Sequence, residues 1–513
     1  MTQTQSAATL VRGRYVLTRA EHDGAATLLN DAAVAVAADG SIIEAGSFDD
    51  LRSRHAAADV IGDGSHFVLP GLVNAHHHGR GVSYMQLGQP DGALETWLNL
   101  AWGRKPMDSY VMGLYTLMQQ LRSGTTAVMF NQAGPLSEAE GTLTAFREVG
   151  MRTAFSIGFR SQCFLVYGDD DEFLAGLPDD LSQTARAVVE GSRVAFEDNL
   201  NLVLDLHERY EKPDPQAVRI LLSPSGYHWA DEDTLRRIVD TARANNMGIH
   251  THVLETVYQR LYANRTTGQS PVQRLADIGM VGPGVSYAHC VWVTEDDIRI
   301  LTETGTSVSH NASSNLRLHS GIAPVRAMLD AGVNVGIGTD SVGINDDDDL
   351  LQEIGLSQRL HRVPGLDNRH VTPGELLHMA TLGGAKALTL DEHIGSLEPG
   401  KRADIVMLNW DRVSYPYLDS ELDPLEVLVS RARGRDVRTV LIDGRVVYNN
   451  GEFPTLNVPA ITMRIQEVLQ GPPPPEALIR RQAAQALDPH IRAYYRDWQL
   501  PDGPQHALRN ARA

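Results

Sequence analysis

The feature that most restricts the fold of this chain is a regular alternation of short apolar segments with longer helical segments from residue 69 onward. Such an alternation is typical of βα units around a parallel sheet in an α/β fold. The predicted strands are Gly71–Ala75, Thr126–Phe130, Thr153–Ile157, Val218–Leu222, Gly248–Thr251, Val285–Ala288, Ser307–Ser309 and Val333–Ile337. Eight consecutive repeats favour a closed (β/α)8 TIM barrel over an open doubly wound sheet.

The chain outside the barrel predicts a second, smaller domain. Residues 1–68 contain short strand-like segments, and residues 395–456 contain a hairpin with an Asp443-Gly444 turn. We therefore expect a small β-sandwich built from both chain ends, with the barrel at 69–394 between its two parts. The last segment, 457–513, begins with a proline-rich spacer and continues as a helical tail. We expect this tail to pack on a surface or on a neighbouring subunit, with no chemistry of its own.

The first barrel strand runs into three consecutive histidines, His76, His77 and His78. Because side chains alternate along a strand, His76 and His78 are expected to face one side and His77 the other. Two imidazoles on one side of a strand end are half of a metal site. An isolated pair of this kind is more often a polar turn, so the remaining strand ends decide between the two interpretations.

Histidines or an aspartate follow five of the eight predicted strands. In a TIM barrel the catalytic groups lie at these carboxyl ends. In chain order the polar residues are His76 and His78, Asn131, His250 and His252 with Glu255 nearby, His289, His310, and Asp340. This coincidence predicts one metal site at one mouth of the barrel.

Composition argues against several other functions. The formal net charge of −19 disfavours nucleic acid and anionic membranes as partners, since both require a basic surface. Cys163 and Cys290 lie far apart and give neither a disulfide framework nor a thiolate zinc site. Residues 1–14 lack the apolar segment of a signal peptide, and no stretch is apolar enough to span a membrane, so we expect a cytoplasmic protein.

The motifs at the strand ends resemble those of the amidohydrolase superfamily, in its branch of mononuclear deaminases and s-triazine hydrolases. The matching segments are Pro70–His78, Gly124–Thr126, His250–Thr256, Ala288–Trp292, Ser314–Leu318, Gly338–Asp340 and Gly395–Val406, in the family's order. The resemblance implies that the metal ligands are His76, His78, His252 and Asp340. It also implies that Glu255 is the acid/base that shuttles protons and that His289 is the catalytic histidine of the sixth strand.

The chemistry of these groups agrees with the implied roles. Three imidazoles and one carboxylate leave a position open for water on a bound metal, which lowers the pKa of that water from ~16 toward ~7. Glu255 would take a proton from the water and pass it to the leaving nitrogen. His289 would stabilise charge on the attacked group, and Asp340 would accept a hydrogen bond from the nucleophile.

We predict one divalent ion in this site. Binuclear relatives bridge two ions with a carbamylated lysine on a barrel strand, whereas the lysines here, at positions 105, 212, 386 and 401, lie on no predicted strand. The donor set suits Zn²⁺ or Fe²⁺, and zinc is the prediction with iron as the alternative. A homo-oligomer is expected because multimers are usual in such families.

The predicted reaction is metal-dependent hydrolysis of a C–N bond in a small nitrogen-containing substrate. Deamination of a cyclic amidine, in a nucleobase-like or s-triazine ring, is favoured because a poor amine leaving group needs an acid such as Glu255. Residues that follow strand ends and are predicted to line the substrate pocket are Gln86, Trp97, Asn131, Tyr227 and His310.

Two departures from the family bear on the substrate. Nucleoside deaminases of this branch carry a glutamate shortly after the pair that matches Trp97-Leu98, and a Pro-His-Ala-Pro-Tyr run after the fourth strand. Neither is present here, which favours a bare nitrogen heterocycle over a ribose-bearing substrate. The alternative activities are hydrolysis of an exocyclic amide, urea or carbamate, and removal of another leaving group from a heteroaromatic ring. A catalytically silent scaffold is disfavoured, because all four ligands and the acid/base are present.

Overall fold

The computed structural model describes residues 6–79, 81–132, 138–341, 343–366 and 370–499. The amino-terminal part forms strands of a β domain. Strand β1 pairs antiparallel with β2 along almost its whole length, and its other edge pairs in parallel with β4 and β5. These strands are β1 (Thr9–Ala20), β2 (Ala26–Val36), β3 (Ile42–Ser47), β4 (Asp59–Ile61) and β5 (His66–Pro70).

The next eight strands form the predicted barrel. They are β6 (Leu72–His77), β7 (Thr125–Gln132), β8 (Arg152–Phe159), β9 (Val218–Pro224), β10 (Ile249–Val253), β11 (Val285–His289), β12 (Ser307–His310) and β13 (Val335–Ile337). Each strand is hydrogen-bonded in parallel to the next. The ring closes where the backbone N–H of Asp340 donates to the carbonyl oxygen of His76 at 2.9 Å. The TIM barrel prediction is therefore confirmed.

Three carboxyl-terminal strands complete the β domain: β14 (Ile405–Asn409), β15 (Val437–Ile442) and β16 (Arg445–Asn449). Strand β14 pairs antiparallel with β5, which joins both chain ends in one mixed sheet of eight strands. A buried apolar cluster that includes Val11, Val34, Val68, Ile405 and Leu441 draws on both parts. The predicted composite β domain is thus confirmed, while its predicted limits at residues 68, 395 and 456 stay predictions.

Helices surround the barrel, except that the first helix of the chain packs on strands β1, β2 and β3 of the β domain. The helices from the start of the chain to β11 are α1 (Phe48–Arg54), α2 (Leu94–Trp97), α3 (Ser109–Arg122), α4 (Ala139–Val149), α5 (Asp170–Ala175), α6 (Asp179–Ser192), α7 (Phe196–Leu206), α8 (Glu232–Asn245), α9 (Val257–Thr266) and α10 (Pro271–Asp277). The remaining barrel helices are α11 (Glu295–Thr304), α12 (Ala312–Arg317), α13 (Val325–Ala331), α14 (Leu350–Leu360), α15 (Pro373–Met379) and α16 (Leu382–Ala387). The β domain adds α17 (Trp410–Ser414) and α18 (Pro424–Arg431). No helix among the described residues is long and apolar enough to cross a membrane.

The tail contains two further helices, α19 (Val458–Gln470) and α20 (Pro475–Tyr495). Helix α19 packs on α3, and α20 packs on the short turn Leu98–Gly103 and on α6. Both therefore lie on this chain's own barrel, one of the two arrangements expected from the sequence. The last part of the predicted tail, residues 500–513, lies outside the described residues.

Candidate metal centre and active site

Four side chains converge at the carboxyl end of the barrel. Nε2 of His78 lies 3.2 Å from Nε2 of His252 and 3.3 Å from Oδ1 of Asp340. Nε2 of His76 lies 3.5 Å from the same oxygen of Asp340. Tetrahedral zinc ligands about 2.0–2.1 Å from the ion are themselves about 3.3 Å apart. These three distances fit donors to a single ion, and ligand atoms form two compact groups around His76, one with His78 and Asp340 and one with His252 and His289.

Backbone carbonyl groups orient two of these imidazoles. Nδ1 of His78 lies 3.0 Å from the carbonyl oxygen of Asn131, and Nδ1 of His252 lies 2.6 Å from that of Ser225. A carbonyl oxygen can only accept, so Nδ1 carries the hydrogen in both rings. Each Nε2 therefore presents its lone pair to the centre, which is the tautomer that a metal-ligating histidine requires.

A second histidine orients His76. Nδ1 of His76 lies 2.8 Å from Nε2 of His250, and Nδ1 of His250 lies 2.7 Å from Oγ of Ser286. Nε2 of His76 is buried and has no hydrogen-bond partner among the described residues. A buried polar atom without a partner is costly, and a bound metal ion would satisfy it. The site therefore fits the divalent metal that the sequence predicts.

Burial keeps the imidazoles neutral. It lowers the pKa of His76 and of His252 well below the ordinary value, and it lowers the pKa of His78 to about 4 although Asp340 opposes the shift. Burial would raise the pKa of Asp340, but His78, His289 and the hydrogen bond from Ser314 together outweigh it, and that pKa is lowered. Neutral imidazoles and an ionised carboxylate are the protonation states that bind a metal ion at neutral pH.

The predicted catalytic residues stand beside the ligands. Nε2 of His289 lies 3.7 Å from Oε2 of Glu255 and 3.9 Å from Oδ2 of Asp340. Nδ1 of His289 lies 2.8 Å from Oδ1 of Asn315, which fixes the ring with Nε2 toward the site. Burial raises the pKa of Glu255 well above the ordinary value, and the charge of Asp340 acts in the same direction. Because a higher pKa makes a carboxylate a stronger base, Glu255 is suited to accept a proton.

Unusual backbone geometry holds these residues. Leu254, His289 and Asp340 have φ values of 52°, 76° and 54°, a left-handed region that costs a non-glycine residue about 1–3 kcal/mol. Such strain is concentrated at functional sites. Close packing adds a further constraint, since a Cβ atom at Gly338 would lie 2.9 Å from Cβ of His76. Gly338, which directly follows β13 and lies two residues before the predicted ligand Asp340, therefore allows the end of β13 to approach β6.

A cavity of about 190 Å³ opens over this centre. Besides three of the predicted ligands and the two predicted catalytic residues, its walls contain Tyr84, Leu94, Trp97, Leu98, Asn131, Gln132, Gly158, Arg160, Ser225, Trp229, Leu318 and Ser341. Tyr84, Leu94, Trp97 and Leu318 form a small apolar cluster on one side. The structure thus places Trp97 and Asn131, two of the five predicted pocket residues, in the wall of the cavity.

The other three predicted pocket residues lie elsewhere. Gln86 lines a separate cavity bordered by Asp346, and Tyr227 lines another cavity bordered by α8, α9 and α10. His310 is buried, with its Nε2 atom 3.1 Å from Nε2 of His361. Their positions do not support direct contact with a substrate at the metal centre.

Two charged residues near the cavity were not selected from the sequence. Arg160 follows β8, and burial lowers the pKa of its guanidinium to about 10. Functional residues are expected at the carboxyl ends of barrel strands, and this expectation, applied to the third barrel strand, would have identified Arg160. Glu95 lies two residues before Trp97, and its buried carboxylate accepts a hydrogen bond from Oγ1 of Thr256 at 2.6 Å. Burial raises the pKa of Glu95.

The TIM barrel and this convergent donor set define a metal-dependent hydrolase. Residues 67–447 match the model of the amidohydrolase family, and the chain belongs to that family. It is 33% identical over 405 residues to a 5′-deoxyadenosine deaminase of Methanothermobacter thermautotrophicus, which covers 78% of this chain and 86% of the relative. It is 30% identical over 464 residues to a 5-methylthioadenosine/S-adenosylhomocysteine deaminase of Nitratidesulfovibrio vulgaris, which covers 90% and 96%.

Solved structures show the same architecture. An adenosine deaminase of Xanthomonas campestris with bound zinc superposes with a TM-score of 0.76 at 25% identity, covering 91% of this chain and 98% of that one. An atrazine chlorohydrolase of Arthrobacter aurescens complexed with zinc has the same TM-score at 24% identity, covering 90% and 100%. At that identity the second likeness shows the fold alone.

Proposed function

We propose that this protein is a zinc-dependent deaminase of adenosine derivatives modified at the 5′ position. The observation that carries the proposal is the convergence of His76, His78, His252 and Asp340 beside Glu255 and His289. Relatives at 30% identity or more whose names specify deamination of 5′-modified adenosines support this choice of substrate. The amidine of the adenine ring is a cyclic amidine, as the sequence predicts for the substrate.

The names of these relatives argue against a substrate that lacks ribose, which the sequence alone had favoured. That preference depended on a missing glutamate after Trp97-Leu98 and on a missing Pro-His-Ala-Pro-Tyr run, yet a buried glutamate, Glu95, lies just before this pair. A larger chamber of about 580 Å³ adjoins the inner cavity through His78, Tyr84 and Trp97. A planar base in the inner cavity would leave its sugar and 5′ group room in this chamber, which favours a nucleoside.

The proposed chemistry converts an amidine and water into a ring carbonyl and ammonia. A divalent metal held by the three histidines and Asp340 supplies Lewis-acid activation of the water. Glu255 accepts a proton from the water and donates it to the departing nitrogen, and its raised pKa favours the first step. The ring of His289 is held by Asn315. Its Nε2 atom stabilises the charge that develops on the groups bonded to the attacked carbon. Tyr84, Leu94 and Trp97 offer an apolar wall for a flat ring.

We further propose one zinc ion per chain. Among the described residues none of the barrel strands carries a lysine that could be carbamylated to bridge two ions, and zinc is bound in the adenosine deaminase named above. Iron remains the alternative, because imidazole and carboxylate suit both metals. A homo-oligomer stays a prediction from the family resemblance.

The proposal is tested by ammonia release from zinc-loaded protein on a substrate panel. The panel contains 5′-deoxyadenosine, methylthioadenosine, S-adenosylhomocysteine, adenine, a chloro-s-triazine and a phenylurea. We expect kcat/KM for at least one 5′-modified adenosine to exceed that for adenine by about 100-fold or more, since adenine forms no contacts in the outer chamber. Turnover confined to the triazine or the urea, detected as chloride or amine, would contradict the proposal and support the alternative activity.

A further inference from the structure

The carboxyl-terminal helix reaches the active site through a loop that follows β8. Residues of this loop, of α20 and of the segment just after α20 share a buried apolar cluster that includes Phe164, Leu165, Val166, Tyr167, Leu487, Ile491, Tyr495 and Trp498. Helix α20 lies beyond residue 447, where the match to the family model ends. The contact therefore lies outside the residues that match the family model, and the sequence predicted no chemistry for this segment.

Two tyrosines of α20 hold the backbone of one loop residue. The backbone N–H of Tyr167 donates to Oη of Tyr495 at 2.8 Å. Oη of Tyr494 donates to the carbonyl oxygen of Tyr167 at 2.9 Å. The ring of Tyr167 also packs on that of Tyr495, with centroids 5.7 Å apart. The backbone N–H and the backbone carbonyl oxygen of Tyr167 are therefore both hydrogen-bonded to the carboxyl-terminal helix.

The side chain of Tyr167 extends from its backbone contact with α20 toward Glu255, the predicted proton-transfer residue. Its hydroxyl donates to Oε1 of Glu95 at 3.3 Å and accepts from Nε2 of Gln259 at 3.5 Å. Oε1 of Gln259 in turn accepts from the backbone N–H of Glu255 at 2.8 Å. All four residues are buried. The hydroxyl of Tyr167 thus lies one side chain away from Glu255.

The position of Glu255 needs such support. The preceding residue, Leu254, has a φ of 52°, so the backbone that presents Glu255 is strained and depends on its surroundings. Small displacements of a proton-transfer group cost rate, because proton transfer requires contact within about 2.6–3.2 Å. A hydrogen-bonded chain of buried groups that ends on the Glu255 peptide restricts this displacement.

We propose that Tyr167 is a positioning residue for Glu255, and that the carboxyl-terminal helix holds Tyr167 in place through Tyr494 and Tyr495. Tyr167 acts through Gln259 and Glu95 and does not line the inner cavity over the metal centre. The helix is accordingly a part of the active-site architecture supplied from the end of the same chain.

The proposal rests on the proposed function only for the choice of substrate. The test compares Tyr167→Phe, Tyr495→Phe and the double variant with the zinc-loaded wild type. Each substitution keeps the ring and removes one hydroxyl. Tyr258→Phe is the matched control, because Tyr258 stacks on Tyr495 with centroids 4.8 Å apart but makes no hydrogen bond to Tyr167. Zinc content and melting temperature are measured for every variant.

We expect Tyr167→Phe to lower kcat about tenfold and Tyr495→Phe to lower it about threefold, with KM within twofold of wild type and zinc content unchanged. The double variant should match Tyr167→Phe, because Tyr495 acts through Tyr167. The control should keep its kcat. Wild-type kcat in Tyr167→Phe, an equal loss in the control, a change confined to KM, or multiplicative losses in the double variant would each overturn the proposal. Absence of deaminase activity in the wild type would instead refute the proposed function.

Discussion

At the residue scale, Glu255 combines burial, a raised pKa and proximity to His289 and Asp340. These properties fit a group that accepts and returns a proton within one turnover. The carboxylate forms a compact group with His289 and Asp340, but it is absent from the two groups of potential ligand atoms that contain His76. Its removal should therefore affect proton transfer more than metal binding.

The substitution Glu255→Gln tests this separation. The amide has nearly the same shape but no basic oxygen of comparable strength, so we expect kcat to fall about 10²–10⁴-fold, the usual range for loss of a general acid–base group. Zinc content should remain that of the wild type. Steady-state kinetics and elemental analysis check both parts, and near-normal turnover in this variant would show that another group transfers the proton.

The structure shows the predicted orientation of His76 and His78 relative to His77, but it does not place all of the predicted pocket residues in the cavity. Strand alternation separates His76 and His78 from His77, and the structure places Nε2 of His77 3.0 Å from Asp348, away from the metal centre. After a strand ends, alternation no longer applies. Tyr227 and Trp229 belong to one short 3₁₀ turn, yet only Trp229 faces the cavity. Turn geometry of this kind depends on tertiary packing.

At the element scale, α14 supports α12, which carries residues that contact the site. The carboxylate of Glu353 on α14 accepts from the backbone N–H of Ser313 at 3.2 Å. The next residue, Ser314, donates to Oδ2 of Asp340 at 2.6 Å. Burial raises the pKa of Glu353 to about 8. This support is therefore sensitive to pH.

The raised pKa predicts a stability change with a definite sign. A glutamate in the unfolded chain titrates near ~4.3, so between about pH 4.3 and about pH 8 the folded protein retains a proton at Glu353 that the unfolded chain has released. The free energy of unfolding contributed by this group consequently falls as the pH rises, by at most about 1.4 kcal/mol per unit. Glu353→Gln removes the titration.

Denaturant unfolding at about pH 5 and about pH 8 measures the effect. We expect the loss of stability between these two values to be smaller in Glu353→Gln than in the wild type. Glu303→Gln, on the exposed face of α11, serves as the control and should leave the loss unchanged. An identical loss in Glu353→Gln and wild type would show that Glu353 is ionised in the folded protein throughout this range.

The elements themselves were largely predictable, whereas their long-range contacts were not. Apolar runs of strand length and the helices between them identified the barrel, and β6 extends only to His77 beyond its predicted limit at Ala75. The contact of α20 with the loop at Tyr167 joins residues more than 300 positions apart. No local pattern in the tail indicates such a partner, so the role of α20 required the structure.

At the scale of the whole molecule, a buried ion cluster joins the barrel to the β domain. The guanidinium of Arg152, at the start of β8, donates to both carboxylate oxygens of Asp404 at 2.7 and 3.0 Å, and to Asp443 at 2.6 Å. Arg152 lies at the opposite end of β8 from the active site, about 23 Å away at the rise of an extended strand. This cluster should contribute to stability and not to catalysis.

The substitution Asp404→Ala tests the role of the cluster. It leaves a buried guanidinium with only one carboxylate, and we expect the free energy of unfolding to fall by about 3–5 kcal/mol. The exposed pair of Arg299 and Glu303 provides the control, since Glu303→Ala should cost less than about 1 kcal/mol. The kcat of folded Asp404→Ala, measured below its melting temperature, should stay near wild type. A large loss of kcat without loss of stability would contradict this division of roles.

The central claim is that His76, His78, His252 and Asp340 bind one metal ion. X-ray absorption at the zinc edge on zinc-loaded protein tests it most directly. We expect three imidazole nitrogens and oxygen donors at about 2.0–2.1 Å, with one imidazole fewer in His252→Ala and no second metal in the shell. A signal from another metal about 3.5–4 Å away, sulfur ligands, or an unchanged imidazole count in His252→Ala would contradict the claim.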